Sequence, residues 1–142
     1  MPTPNRFSVP YAHQVRPDGD YSELAAVGAW HHPQPAHVRL KHHERHTRPG
    51  GTVSGAAMFT LADFAVYVAI IAALGEVGLD AVTTNLNINF LTKPEPRDLV
   101  ATVRLIRLGR RLAVGEAQIY SDGMTDLVAH AIATYALPAR DR

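Results

Sequence analysis

From Gly55 to Leu74 the chain reads GAAMFTLADFAVYVAIIAAL, an apolar run with a single charged residue, Asp63. The run therefore predicts a helix that is apolar nearly all round and buried in a core. Ser54 is a suitable N-cap and Gly75 a suitable residue just past the last turn. Downstream the period changes from helical to two. Val82–Leu91 sets Leu86, Ile88 and Phe90 on one face and Asn85, Asn87 and Asn89 on the other. Leu99–Leu108, Arg111–Ser121 and Leu127–Leu137 continue as strands, divided by turns at Gly109-Arg110 and Asp122-Gly123. Upstream, His37–Glu44 alternates around Val38 and Leu40 as a strand with one wet face. Tyr21–Gly28 reads as a short helix with Ser22 as its cap, and Arg48-Pro49-Gly50-Gly51 as a loop.

One long apolar helix followed by four antiparallel strands gives an α+β fold. The expected architecture is a twisted antiparallel sheet of five or six strands wrapped around that helix. Residues 1–20, rich in proline, are expected as an extended arm, and residues 21–142 as one domain. A sheet covers only part of a helix that is apolar all round, so a partner chain is expected to cover more.

Composition narrows the chemistry. The 142 residues carry a net charge of +1, with 46% hydrophobic and 19% charged residues. This balance gives no electrostatic pull toward nucleic acid or an anionic membrane. The absence of cysteine excludes thiol catalysis and disulfides, and fits a cytoplasmic protein. The N-terminal stretch has no apolar signal segment. The Gly55–Leu74 run is about long enough to span a bilayer, at roughly 20 residues. Asp63 would then lie near mid-membrane, so the soluble reading is preferred.

Asp63 is the leading chemical candidate. A carboxylate in apolar surroundings costs several kcal/mol unless something offsets it, and a general base or nucleophile needs that kind of setting. Gly55 opens the helix, so its N–H is one of the unpaired donors at the positive end of the dipole. Such a donor can hold a developing oxyanion, and a residue without a side chain lets a carbonyl approach. Gly55 and Asp63 lie eight residues apart, about 12 Å along one axis. One carbonyl cannot reach both on the same helix. If both act together they come from two chains with antiparallel helices.

Other polar residues carry two readings each. Ser54 caps the helix or also orients a carbonyl or water. Arg48 pairs with a partner's Asp63, binds an acidic acyl group, or is a solvated loop residue. Tyr67 is one turn from Asp63 and either bonds it, lines the pocket, or packs in the core. The Asn85, Asn87 and Asn89 stripe faces solvent for the most part. Arg104, Arg107, Arg110 and Arg111 gather at one turn, either to bind phosphates or as a charged edge. His31, His32, His37, His42, His43 and His46 crowd one segment. No Asp lies within the segment and only Glu44 could join them, whereas a zinc site usually needs three or four convergent ligands, so no metal is expected.

The segments GTVSGAAMFTLAD, VTTNLNINFL, RLIRLGRRLAVGEAQIYS and LVAHAIATYALP, in this order, resemble the hotdog-fold thioesterases. The likeness is greatest to the branch holding the phenylacetate-pathway acyl-CoA thioesterases, and it spans roughly residues 24–138. That branch carries Asn-x-x-Gly-x-x-His-Gly-Gly and then Leu-Ala-Asp within the helix. Gly51, Gly55, Leu61, Ala62 and Asp63 fall in register with it. Arg48 replaces the usual Asn or Gln, Ser54 the His, and Ala56 the second glycine. The resemblance implies an acyl-CoA thioesterase, a homodimer or dimer of dimers, with a site shared between chains. It implies Asp63 as nucleophile or general base, the Gly55 N–H as oxyanion donor, and Ser54 and Arg48 as helpers. Gly51, Tyr67, Asn89, Arg110 and Arg111 are expected to contact substrate, with no cofactor. A hotdog hydratase or dehydratase and a non-catalytic acyl-CoA binding protein are the alternatives.

Overall fold

The computed structural model describes residues 24–26, 36–49 and 52–139. The arm at residues 1–20 and Gly51 lie outside them. Strands β1 (Leu24–Ala26) and β2 (Ala36–Leu40) precede helix α1 (Gly55–Leu74). Strands β3 (Val82–Phe90), β4 (Leu99–Leu108), β5 (Leu112–Ser121) and β6 (Leu127–Ala136) follow. They form one six-stranded sheet in the order β1-β2-β4-β5-β6-β3, antiparallel throughout. The α+β architecture is the one the periodicity predicts.

Two upstream expectations change. Leu24–Ala26 lies within the segment read as a short helix, and it is a strand whose three residues pair with Leu40, Arg39 and Val38. Pairing to a sheet edge outweighs weak helix propensity in so short a run. The strand expected over 37–44 ends at Leu40, and Glu44–His46 forms a 3₁₀ turn. His43 Nδ1 accepts the Arg45 N–H there. A local side-chain cap of this kind competes with extended pairing. His42, His43 and His46 therefore lie beyond the strand.

Ser54 caps α1, its Oγ accepting the Ala57 N–H at 3.1 Å. Gly75 closes it with φ +69°, its N–H donating to the Ile71 carbonyl. Leu61, Ala65, Val66, Ile70 and Ile71 are fully shielded. All but Ile71 share one core cluster with Val38, Ala101, Val103, Ala117, Ile119 and Ala133, which point inward from the sheet. Burying each large side chain contributes about 1.5–3 kcal/mol. Most of α1, long and apolar enough to cross a bilayer, is thus spent on the fold. A stripe at helical spacing escapes the sheet: Ala56, Phe59 and Thr60 are exposed, and Asp63 and Tyr67 half-buried.

The loop before α1 is fixed by backbone bonds. Arg48 donates to Thr52 at 2.8 Å, Ser54 donates to His46 at 2.6 Å, and Thr47 bridges Val53. These bonds set the direction in which the helix starts.

Candidate functional site

Asp63 sits midway along the uncovered stripe of α1, in the wall of a cavity of about 240 Å³. Thr60, Phe64, Tyr67, Ala81, Thr83 and Tyr135 complete the lining. Two hydroxyls converge on one carboxylate oxygen. Tyr135 donates to Asp63 Oδ1 at 2.6 Å and Thr83 donates to the same atom at 2.8 Å. The Tyr135 hydroxyl also lies 2.8 Å from the Asp63 backbone carbonyl. The offset for an apolar-sited carboxylate is therefore local: one donor from β3 and one from β6, on the face they turn to the helix. Burial, and then the Asp63 charge and hydrogen bond, push the Tyr135 phenol far above its ordinary ionisation range.

Tyr67 lines the same cavity, but its hydroxyl donates to the Leu79 carbonyl at 2.7 Å. Its ring stacks on Tyr135, with centroids 6.1 Å apart and planes 15° from parallel. Of its possible parts, the packed and wall-forming ones are those the structure displays.

A second cavity, of about 450 Å³, opens at the start of α1. Arg48, Thr52, Val53, Gly55, Met58 and Phe90 line it, with Lys93 on the loop after β3. The Phe90 ring lies over Gly55: a Cβ there would meet Phe90 Cζ at 3.2 Å. Gly55 thus lets an aromatic wall and the first turn of the helix stand together. Arg48 Nε donates to Thr52 Oγ1 at 2.9 Å, which turns the guanidinium back over the loop. Ser54 spends its oxygen on the helix cap.

The expected residues thus divide. Arg48 and Gly55 share the second cavity; Asp63 and Tyr67 share the first. Arg110 and Arg111 are in neither, lining a separate hollow of about 350 Å³ with Leu112, Ala136, Leu137 and Ala139. Arg104 pairs with Glu116 at 3.1 Å. The substrate contact expected of Asn89 meets a different placement. Asn89 is exposed and pairs with His130 on the outer face of the sheet, away from both cavities. Strand alternation forces this, because Ile88 and Phe90 turn toward α1. Tyr135 and Thr83 were not singled out from the sequence. Their signal was parity: Thr83 and Tyr135 are register partners on the inward face, beside the one carboxylate of α1.

A family model described as the thioesterase superfamily matches residues 50–128. A candidate esterase of Saccharolobus solfataricus is 33% identical over 100 residues, covering 70% of this chain and 65% of the relative. The chain thus spans about two thirds of that relative's length. A candidate thioesterase of a Silicibacter species is 42% identical and superposes with a TM-score of 0.77, covering 91% of this chain and 88% of the other. A mutant of a phenylacetic acid degradation protein of Thermus thermophilus shares the fold at 24% identity. Its TM-score is 0.66, and the match covers 80% of this chain and 91% of the other.

Proposed function

Because the chain belongs to the thioesterase superfamily and has its hotdog fold, we propose that it hydrolyses an acyl-CoA thioester to a free acid and CoA. The single observation that carries this reading is Asp63: one carboxylate, held by two hydroxyls, in a cavity wall on an otherwise apolar helix. In one route Asp63 takes a proton from water, the hydroxide adds to the carbonyl carbon, the C–S bond breaks, and the thiolate receives the proton. In the other, Asp63 adds to the carbonyl itself, the C–S bond breaks and the CoA thiolate leaves; water then cleaves the mixed anhydride to the free acid and the Asp63 carboxylate, and the thiolate receives a proton from that water. Either route builds negative charge on the carbonyl oxygen, and the Gly55 N–H is the donor for it.

The site is completed by a second copy of the chain. Within one chain the Gly55 and Asp63 cavities are separated by about 12 Å of helix. Thr83, near the first end of β3, borders the Asp63 cavity, and Phe90, at its last, borders the Gly55 cavity. Among the described strands β3 pairs only with β6, so its other edge is open. Antiparallel pairing of two open β3 edges sets the Thr83 end of one chain beside the Phe90 end of the other. The Asp63 cavity then meets the partner's oxyanion donor. It also covers the stripe where Phe59 stands 42% exposed. Arg110 and Arg111, side by side in their own hollow, are cations suited to phosphates of the CoA carrier.

Thiol release from a panel of acyl-CoAs by the purified protein tests the activity. Turnover is expected for at least one acyl class. Tight acyl-CoA binding without any thiol release would instead indicate a binding protein.

A further inference from the structure

We propose that Tyr135 is a positioning residue: with Thr83 it holds Oδ1 of Asp63, so that Oδ2 is the oxygen that reacts. The inference rests on the catalytic reading of Asp63 and adds which atom acts and what aims it.

A carboxylate on a short side chain at a cavity wall has two equivalent oxygens and can rotate to offer either. Here the equivalence is broken. Tyr135 at 2.6 Å and Thr83 at 2.8 Å both end on Oδ1. Among the described residues no hydrogen bond ends on Oδ2. The single phenolic hydrogen of Tyr135 faces both Oδ1 and the Asp63 carbonyl. The shorter contact goes to the charged acceptor, which is the stronger interaction. Two donors draw electron density onto Oδ1 and occupy its lone pairs. The pair available to a water or a carbonyl carbon is on Oδ2.

The donors are themselves held. Tyr135 is 3% exposed, and its ring stacks on Tyr67, whose hydroxyl is tied to Leu79. Thr83 is its register partner on the neighbouring strand. Neither hydroxyl can follow Asp63 if the carboxylate swings. The phenol stays protonated across any working pH, because burial and the adjacent carboxylate both oppose its ionisation. Tyr135 therefore remains a donor throughout the cycle. Its hydroxyl is committed to Asp63, at Oδ1 and at the backbone carbonyl, so it acts through Asp63.

The test is steady-state kinetics on Tyr135→Phe, Thr83→Val, Thr83→Ser and Asp63→Ala with one good thioester. Tyr135→Phe keeps the ring stack and removes only the donor. Its kcat is expected to fall about 10- to 100-fold with KM changed less than about threefold, the signature of a misaimed group. Thr83→Ser keeps a donor and is expected to retain more turnover than Thr83→Val. A packing role would move melting temperature without splitting kcat from KM. Unchanged kcat in Tyr135→Phe and Thr83→Val beside an inactive Asp63→Ala overturns the positioning role and leaves the catalytic reading standing. Full activity in Asp63→Ala overturns both. If Tyr135→Phe fails to fold, the two Thr83 variants decide the matter.

Discussion

Asp63→Ala is expected to lower kcat/KM for thioester hydrolysis by about a thousandfold or more, since in both routes it removes the group that activates or makes the attack. The expectation is large because nothing nearby can stand in. Among the described residues Asp63 is the only carboxylate lining its cavity; the other lining groups are two tyrosines, two threonines and apolar side chains. The fold should survive. Asp63 is half-buried and lies on the uncovered stripe of α1, so the alanine leaves no sealed void. Two hydroxyls lose an acceptor, but both border an open cavity that water can enter. Asp63→Asn is a sharper version, because the amide can still accept from Tyr135 and Thr83 while offering no basic oxygen. The check is kcat/KM with circular dichroism alongside. Loss of the far-ultraviolet signal together with activity would mean that Asp63 supports the fold instead.

Gly115→Val is expected to destabilise the fold by about 3 kcal/mol, the upper part of the usual range for overpacking. Gly115 lies on the inward face of β5, against Val66 of α1. A Cβ at that position would stand 2.8 Å from Val66 Cγ1 and 3.1 Å from Cγ2. Val66 is fully buried and β-branched, so it cannot turn aside without an unfavourable rotamer. Valine's better strand propensity opposes the clash by at most about 1 kcal/mol, and the clash wins. Adding Val66→Ala makes room. The double variant should therefore be more stable than the two single effects predict, by more than about 1 kcal/mol. Urea unfolding at one fixed protein concentration measures this. Strict additivity would show that the helix does not rest on Gly115.

Much of this was legible in the sequence, and for identifiable reasons. The helix bounds followed from Ser54 and Gly75, whose cap chemistry is local. Leu99–Leu108 was recovered at both ends because the turns at its flanks are written in glycine, proline and charge. The failures are tertiary. Three residues at Leu24–Ala26 take their conformation from β2, which no local signal records. Glu44–His46 coils because a histidine side chain captures a backbone N–H, a contact that alternation does not encode. Asp63 stood out at once as the only charge in α1. The donors that make it tolerable, Thr83 and Tyr135, are 20 and 72 residues away and look like ordinary strand residues until the register is known. The facing of Asn89 was legible too: alternation sets it opposite Ile88 and Phe90, and it is exposed on the outer face of the sheet.

The central claim is that Asp63 of one chain works with Gly55 of another. Mixing two inactive variants tests it most directly. Gly55→Val places bulk against the Phe90 ring and blocks the carbonyl's approach; Asp63→Ala removes the acting carboxylate. The two are unfolded and refolded together, and thiol release is measured. In a shared-site dimer each mixed pair contains one site with both native residues. Random pairing should then restore about a quarter of wild-type activity, while each variant alone stays inactive. A mixture as inactive as its components would place Gly55 and Asp63 in separate roles and contradict the shared site.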